Sequence, residues 1–502
     1  MKNIAIVNAV EFSAAMQPIA DGRTSLERVI AFGKALPGVE DAVILLSRNG
    51  QAPSGIRSDT RAAWNAGELL SAFKKHSTGF EDIFYFHADC PLLDRKISER
   101  MHANHRKYFA DYTYADGYPY GLTPEILRSD LVGRLQILCE RGKAPSGILS
   151  SALRRETLFD VIKTDINSFD IETELAPGDQ RLLRISLTTD TKRNRVLLKS
   201  LIASGGTDAE SITRILDEKP EVQRTLPAFF PIQIAERCPQ TCSYCPYPRF
   251  GGDILSKNGY MSVEKFSSLS EKISGFCGDA VIDISLWGEP ALHPGIMEIV
   301  KSALKTPGIE LVIETSGIGW KDEVLSRMAA ELPKPPTWII SLDARSEPVY
   351  KGLRGDGFTE ALGAAERLMT LFPGSVYVQA VRMKENEEDL EGFFTSWKTK
   401  TEKIIIQKYD SFCEYLPERK VSDLSPLNRF PCWHLRRDMP IMLDGTVAMC
   451  REDLERKHVL GNAFSENLSD IWEKGEALDR RHIALDYPGI CAACDEWYTY
   501  NF

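Results

Sequence analysis

Seven cysteines between residues 238 and 494 form two groups, and their spacing constrains both fold and chemistry. Three of them share one short loop, with three and then two residues between them: Cys238, Cys242 and Cys245. The other four lie near the end of the sequence: Cys432, Cys450, Cys491 and Cys494. Three thiolates can ligate three irons of a cubane iron–sulfur cluster and leave the fourth iron open, whereas four thiolates can complete the ligation of a second cluster. This pattern favours redox radical chemistry over structural metal binding.

Length, charge and cysteine usage exclude several classes of protein. The 502 residues exceed what one hydrophobic core usually holds, so we expect two or three domains. The net charge of -10 argues against nucleic acid as a partner, because phosphate binding needs a basic surface. No apolar run approaches the roughly 18 residues of a membrane span, and the first segment turns polar too soon for a signal peptide. Eleven cysteines without an export signal predict a reducing cytoplasm, where clustered thiols are usually ligands.

The first 205 residues show strands alternating with amphipathic helices, which is typical of a layered α/β domain. The predicted strands are 3–10, 41–47, 83–86 and 184–187. The predicted helices are 25–36, 62–75 and one that follows Asp190. We therefore expect a Rossmann-like domain with a parallel sheet over residues 1–205, followed by a helical connector at 206–226.

A second alternating series predicts a partial (β/α)6 barrel over residues 227–424. Its predicted strands are 230–235, 280–286, 310–314, 337–342, 375–381 and 403–407. Its predicted helices are 262–273, 293–304, 322–332, 358–371 and 386–397. Right-handed crossovers place the carboxyl ends of all strands on one rim, so the loop with the first three cysteines lies on that rim. A small cysteine-rich domain is expected at 425–502.

The three-cysteine loop resembles that of the radical S-adenosylmethionine (radical SAM) superfamily. It has the form C-x3-C-x2-C, with Tyr244 directly before the third cysteine, and Gly288-Glu289-Pro290 follows the second barrel strand. In that family the open iron of a [4Fe–4S] cluster binds S-adenosylmethionine, and reduction yields a 5′-deoxyadenosyl radical. The resemblance implies that the three cysteines hold this cluster and that Tyr244, Gly288 and Glu289 contact the cofactor. A zinc knuckle or packed thiols are the alternatives that the spacing itself leaves open.

Three more residues match positions that meet the ribose and the carboxylate of the cofactor in related enzymes. Thr315 ends the third barrel strand, Ser341 ends the fourth, and Arg354 follows it. The guanidinium of Arg354 can supply the fork-shaped donor that a carboxylate favours. A strand-end cap and a surface charge are the alternative interpretations.

The final segment resembles the SPASM/Twitch extension of radical SAM enzymes. Asp444-Gly445 lies between alternating apolar residues and predicts a hairpin. The four cysteines have the form C-x17-C-x40-C-x2-C, which the resemblance assigns to one fully ligated auxiliary [4Fe–4S] cluster; a structural zinc is the alternative. Cys413 follows the sixth barrel strand and is a candidate acid/base or thiyl group at the barrel mouth, or else a packed thiol.

The first domain resembles sugar nucleotidyltransferases, but one element departs from their pattern. Asp89, in the segment 87–94, matches an aspartate that binds the metal on the nucleotide phosphates in that family, which implies a possible Mg²⁺ and nucleotide site. The loop 11–18 contains no Arg, Lys or Gly, so it is poorly suited to cradle phosphate and the domain is expected to be degenerate. The order of the three parts resembles the spiro-SPASM proteins of spirochaetes.

These resemblances imply a radical SAM oxidoreductase that removes a hydrogen atom from a carbohydrate, a cyclitol or a peptide side chain. The auxiliary cluster would take part in electron transfer, and a reductase such as flavodoxin or ferredoxin would supply electrons. The alternatives are a peptide-modifying maturase that forms a crosslink or thioether, a bifunctional enzyme with nucleotidyltransferase activity, and a non-catalytic scaffold.

Overall fold

The computed structural model describes residues 2–10, 12–19, 22–48, 50–140 and 151–499. The chain divides into two compact units, Met1–Thr225 and Leu226–Phe502. Glu11, in the loop that lacks phosphate-binding residues, lies outside the described residues. The described residues contain no helix with the length and apolar character that crossing a bilayer requires.

The first unit is built on a seven-stranded sheet with the strand order β3-β2-β1-β4-β6-β5-β7. Its strands are β1 Asn3–Asn8, β2 Val39–Ser47, β3 Arg57–Arg61, β4 Asp82–His87, β5 Tyr112–Asp116, β6 Glu125–Arg128 and β7 Ile171–Leu175. Its α-helices are Ser25–Ala35, Ala66–His76, Arg95–Lys107, Leu131–Glu140, Thr157–Ile162, Lys192–Ala203 and Ala209–Glu218. The central strands β1 and β4 are buried along their whole length, as layered α/β packing requires.

Two predictions for this sheet need correction. The sheet is mixed, because β6 runs antiparallel to both β4 and β5. The strand predicted at 184–187 is wrong. A 3₁₀ helix, Arg181–Leu183, ends with Arg184 in the left-handed region at φ 51°, so extended backbone cannot begin there. Ser186 alone makes a bridge, to Tyr120.

The second unit contains a six-stranded parallel sheet in sequential order from β8 to β13, which confirms the predicted partial barrel. Its strands are β8 Phe229–Pro231, β9 Ala280–Asp283, β10 Ile309–Thr315, β11 Thr337–Ser341, β12 Val376–Arg382 and β13 Ile404–Lys408. Its α-helices up to Lys398 are Tyr247–Phe250, Val263–Cys277, Ile296–Lys305, Asp322–Glu331, Glu347–Arg354, Phe358–Leu371 and Glu387–Lys398.

The two faces of this sheet have different compositions. On β10, Leu311 and Ile313 belong to the hydrophobic core that the helices cover. Val312 and Glu314, which alternate with them, line a cavity inside the barrel. Successive side chains on a strand point to opposite faces, so the same strands supply both the core and the cavity wall.

The last part of the second unit contains little regular secondary structure. The predicted turn at Asp444-Gly445 is confirmed: the N–H of Met442 donates to the carbonyl of Thr446 at 2.8 Å, and the N–H of Gly445 donates to the carbonyl of Met442 at 2.9 Å. The strands β14 Thr446–Ala448 and β15 Val459–Asn462 pair antiparallel, and the helices Leu468–Lys474 and Glu476–Ile483 follow.

Gly308, which leads into β10, should not tolerate a side chain. Its φ is +73°, and an added Cβ would collide with the carbonyl oxygen of Gly278. We expect Gly308→Ala to lower the free energy of unfolding of the second unit by more than about 2 kcal/mol. Urea denaturation followed by tryptophan fluorescence measures this change.

The matched control is Gly363→Ala in the helix Phe358–Leu371, where an added Cβ meets nothing within 4 Å. That variant should be neutral or more stable by about 0.5–1 kcal/mol, because alanine favours helix. Equal unfolding midpoints for the two variants would contradict the prediction.

Candidate functional site

The three cysteines of the first loop reach one cavity inside the barrel. The cavity has a volume of about 230 Å³, and its wall includes Cys238, Cys242 and Cys245 together with Tyr244 and Gly288. Burial and then the carboxylate of Glu289 raise the pKa of Cys238 to about 12. Burial followed by the neighbouring Cys242 raises the pKa of Cys245. The thiols are therefore close enough to influence one another, which suits ligands of one cluster.

Gly288 allows the end of the second barrel strand to lie against the start of the cysteine loop. Its φ is +84°, and a Cβ there would collide with the carbonyl oxygen of Ala235. The N–H of Glu289 donates to the carbonyl of Arg237, the residue before the first cysteine, at 2.8 Å. The Gly-Glu-Pro segment thus fixes the backbone from which Cys238 projects.

The carboxylate of Glu289 joins the ends of two neighbouring barrel strands. The hydroxyl of Thr315 donates to Oε1 at 2.6 Å, and the hydroxyl and N–H of Ser316 donate to Oε2 at 2.6 and 2.9 Å. The N–H of Ala291 is a fourth donor, to Oε1. Glu289 is buried, and this burial raises its pKa despite these hydrogen bonds. Its role in this structure is to hold the rim together.

Arg354 also forms hydrogen bonds with other side chains of the protein. Its side chain is buried and donates to Gln240 Oε1 from Nε and Nη2 at 3.0 and 2.9 Å. It also donates to Asp343 Oδ2 at 2.5 Å and to the hydroxyl of Tyr244. The guanidinium therefore ties the cysteine loop to the end of β11.

The predicted cofactor contacts fall into two sets. Tyr244, Gly288 and Ser341 line the cavity, and the hydroxyl of Ser341 accepts from Gln379 Nε2 at 3.3 Å. The described residues that line the cavity do not include Glu289, Thr315 or Arg354. They lie behind the wall and support it.

The cavity wall contains four carboxylates that sequence reasoning missed, and two of them, Asp283 on β9 and Glu314 on β10, lie within strands. The available signal was an acidic residue within an apolar strand of a parallel sheet, a place where charge is rare unless it has a function. Asp410 and Arg451 also line this cavity, and Arg451 Nη2 donates to Asp410 Oδ2 at 3.0 Å.

The four cysteines of the last segment converge in a second place. Cys432 and Cys491 are buried in an apolar cluster with Met449 and Trp497, against which Cys450 packs. Burial and then the nearby Cys494 raise the pKa of Cys432, and the same two causes raise the pKa of Cys491 to about 11. A closed set of four thiols suits a fully ligated cluster.

Cys413 lies beside this second group. Its thiol forms a hydrogen bond with Cys494, and this bond, followed by burial, raises the pKa of Cys413. The preceding residue, Phe412, lines the cavity. The candidate acid/base thiol is therefore at the boundary between the cavity and the second cysteine group.

In the first unit, an arginine occupies the position between two aspartates. Arg155 Nη1 donates to Asp89 Oδ1 at 3.0 Å, and Nη2 donates to Asp89 Oδ2 and, at 2.8 Å, to Asp190 Oδ2. Asp89 is fully buried, and burial raises its pKa even though Arg155 is bound. Because the guanidinium already neutralises these carboxylates, the residues present do not fit a Mg²⁺ site.

Comparison with known families agrees with the geometry. Residues 232–395 match the radical SAM superfamily, and residues 432–495 match SPASM, an iron–sulfur cluster-binding domain. The chain belongs to the radical SAM superfamily. It is therefore a radical SAM enzyme for which S-adenosylmethionine and iron–sulfur clusters are the implied cofactors, and its two groups of thiols provide fitting ligands.

Individual proteins resemble different parts of this radical SAM chain. An uncharacterized protein of Treponema pallidum (strain Nichols) is 39% identical over 360 residues, which cover 69% of this chain and 98% of that protein. The structure of Streptococcus suis SuiB bound to precursor peptide SuiA has 16% identity and a TM-score of 0.42, and covers 52% of this chain and 69% of that chain. A cytidylyltransferase from Leptospira borgpetersenii serovar Hardjo-bovis (strain JB197) has 19% identity and a TM-score of 0.36, and covers 44% of this chain and 96% of that chain.

Glu289→Gln should weaken the rim and reduce cluster retention. A glutamine side chain has one acceptor oxygen where the carboxylate has two, so at least one buried donor on Thr315 or Ser316 loses its partner, at a cost of about 1–3 kcal/mol. Iron analysis after gel filtration and thermal unfolding measure both effects. Glu323→Gln, at an exposed position of a neighbouring helix, is the control, and equal iron retention in the two variants would contradict the prediction.

Arg155→Met should destabilise the first unit by about 3–5 kcal/mol, because it leaves the buried Asp89 without a counter-charge. The double variant Asp89→Asn with Arg155→Met should recover part of this loss, since it removes the uncompensated charge. Denaturation of the single and double variants gives the coupling free energy. Additive effects would show that the pair is not coupled.

Proposed function

We propose that this radical SAM enzyme is an oxidoreductase with two [4Fe–4S] clusters, one held by Cys238, Cys242 and Cys245 and the other by Cys432, Cys450, Cys491 and Cys494. When bound, the first cluster supplies the electron that cleaves S-adenosylmethionine into methionine and a hydrogen-abstracting 5′-deoxyadenosyl radical, and the second supplies an acceptor for an electron from the substrate. The substrate is a carbohydrate, a cyclitol or a peptide side chain.

One observation carries the proposal: the three cysteines share a cavity with titratable groups on the inner face of the barrel. Cys238, Cys242 and Cys245 lie on its rim, and Asp283 and Glu314 project from the strands below. A substrate held by these carboxylates would lie next to the site of cofactor cleavage. Oxidation at carbon releases one hydrogen atom, one proton and one electron, so a proton acceptor in the same cavity is required.

Two short segments connect this cavity with the second cysteine group. Arg451 lines the cavity and directly follows Cys450. Phe412 lines the cavity and directly precedes Cys413, which contacts Cys494. These connections support a role for the second group in electron transfer from the cavity, because they keep the two places within a few residues of each other.

The proposal includes an external reductant and a cellular location. A low-potential cluster must receive one electron before each cleavage, so we expect a reductase such as flavodoxin or ferredoxin. Among the described residues, no disulfide joins any of the cysteines. This supports a reducing cytoplasm, where thiols persist.

Anaerobic reconstitution tests the proposal. The wild-type chain should bind about eight irons and, with dithionite and S-adenosylmethionine, release 5′-deoxyadenosine. Cys242→Ala should bind about four irons and release none, because the open cluster is lost. Cys491→Ala should also bind about four irons but still cleave the cofactor, because it affects only the second cluster.

Cys139→Ala, in the first unit, serves as the control and should match the wild type in iron content and in product. Zinc in place of iron, or an intact cofactor in the presence of two full clusters, would contradict the proposal. The second of these results would favour a non-catalytic scaffold.

A further inference from the structure

Asp283 presents a buried carboxylate to the cavity. It is 7% exposed and lies at the end of β9, five residues before Gly288 on the rim. The N–H of Ser285 donates to Oδ1 at 3.0 Å, and the second oxygen, Oδ2, accepts no hydrogen bond from any described residue. Because Asp283 lines the cavity, a ligand that fills the cavity can supply the donor that the protein does not.

Glu314 faces the same space from the neighbouring strand. It lines the cavity from β10, next to Val312, which pairs with Asp283 across the sheet. Its backbone N–H donates to the hydroxyl of Ser285 at 2.8 Å. Burial raises the pKa of Glu314, and burial followed by the charge of Glu314 raises that of Asp283. The two groups therefore interact as like charges.

The cations in the cavity wall are already committed to other carboxylates. Arg451 donates to Asp410 at 3.0 Å and to Glu452 at 2.9 Å. Lys408 forms ion pairs with Asp495, at 3.2 Å, and with Glu496. Across the described residues, neither Asp283 nor Glu314 has a cation within ion-pair distance. The charge of Arg451 opposes the rise in pKa at both carboxylates, but its guanidinium is hydrogen-bonded to Asp410 and Glu452, so it forms no direct ion pair with Asp283 or Glu314.

We infer that Asp283 and Glu314 form a subsite for a protonated primary amine on the substrate. This inference rests on the function proposed above and narrows its substrate class to ammonium-bearing carbohydrates, cyclitols or peptide side chains. An ammonium group has three donors and a compact charge, so it can bridge two carboxylates on adjacent strands. A neutral substrate of the same shape would leave the like charges unpaired.

Binding of matched probes to the reconstituted enzyme with S-adenosylmethionine tests the subsite. Glucosamine is compared with glucose, and Nα-acetyl-lysine amide with Nα-acetyl-norleucine amide, by equilibrium dialysis of labelled probes. For at least one pair, the amine should bind at least about tenfold more tightly than its neutral partner, because it alone compensates the buried charges. Asp283→Asn and Glu314→Gln should each bring this ratio close to one.

Glu310→Gln is the matched control, since it changes an exposed glutamate of the same strand and should leave the ratio unchanged. Iron content and thermal unfolding confirm that each variant is folded. If neither amine binds more tightly than its partner, or if the preference survives in Asp283→Asn and Glu314→Gln, the subsite is wrong. Release of 5′-deoxyadenosine is measured in parallel without any probe, so failure of the subsite and failure of the proposed function give different results.

Discussion

The buried guanidinium of Arg354 holds the cysteine loop on the barrel rim. Its donors bind Gln240 and Tyr244, which lie between the cysteines of the loop, and Asp343, which follows β11. A desolvated cation is costly unless all its donors find partners, so this network is stable only when loop and barrel are both in place. The cysteines are therefore positioned by contacts within the protein itself. Such preorganisation reduces the conformational entropy that ligand binding must overcome.

Around the rim, some residues support the cavity wall and others face the interior. Glu289 binds Thr315 and Ser316 behind the cavity wall, whereas Tyr244 and Ser341 face the interior. Residues that match the family pattern thus include both supporting and lining positions. Sequence similarity identifies the set, and the hydrogen bonds show which of its members support the cavity wall.

Much of the barrel could be predicted from sequence because its strands are short apolar runs separated by amphipathic helices. The six predicted strands all occur, with β10 at Ile309–Thr315 and β13 at Ile404–Lys408. The turn at Arg184 could not be predicted because no glycine or asparagine marks its left-handed residue. The antiparallel strand β6 could not be predicted because its pairing depends on tertiary contacts. The ion pair of Arg155 with Asp89 was hidden for the same reason: its members are 66 residues apart.

The segment between the cavity and the second cysteine group adopts a backbone conformation that opposes local preference. Phe412, Cys413 and Glu414 are consecutive residues in the left-handed region, at φ 51°, 55° and 67°. Each such conformation costs on the order of 1 kcal/mol or more, so the surrounding contacts must impose it. Asp410 Oδ1 accepts the N–H of Phe412 at 2.7 Å, and the hydroxyl of Ser411 accepts the N–H of Glu414 at 3.3 Å.

This strained turn has a specific geometric result. It directs the ring of Phe412 to Trp287 at the cavity wall, with ring centroids 5.9 Å apart, and the next side chain, Cys413, to Cys494. An extended strand would also point the two adjacent side chains in opposite directions. Its backbone, however, would continue away from the barrel and would not turn back. The left-handed turn keeps both contacts while the backbone reverses, so it joins the cavity to the second cysteine group within two residues. Strain that persists at such a junction indicates that the connection itself is what the fold maintains.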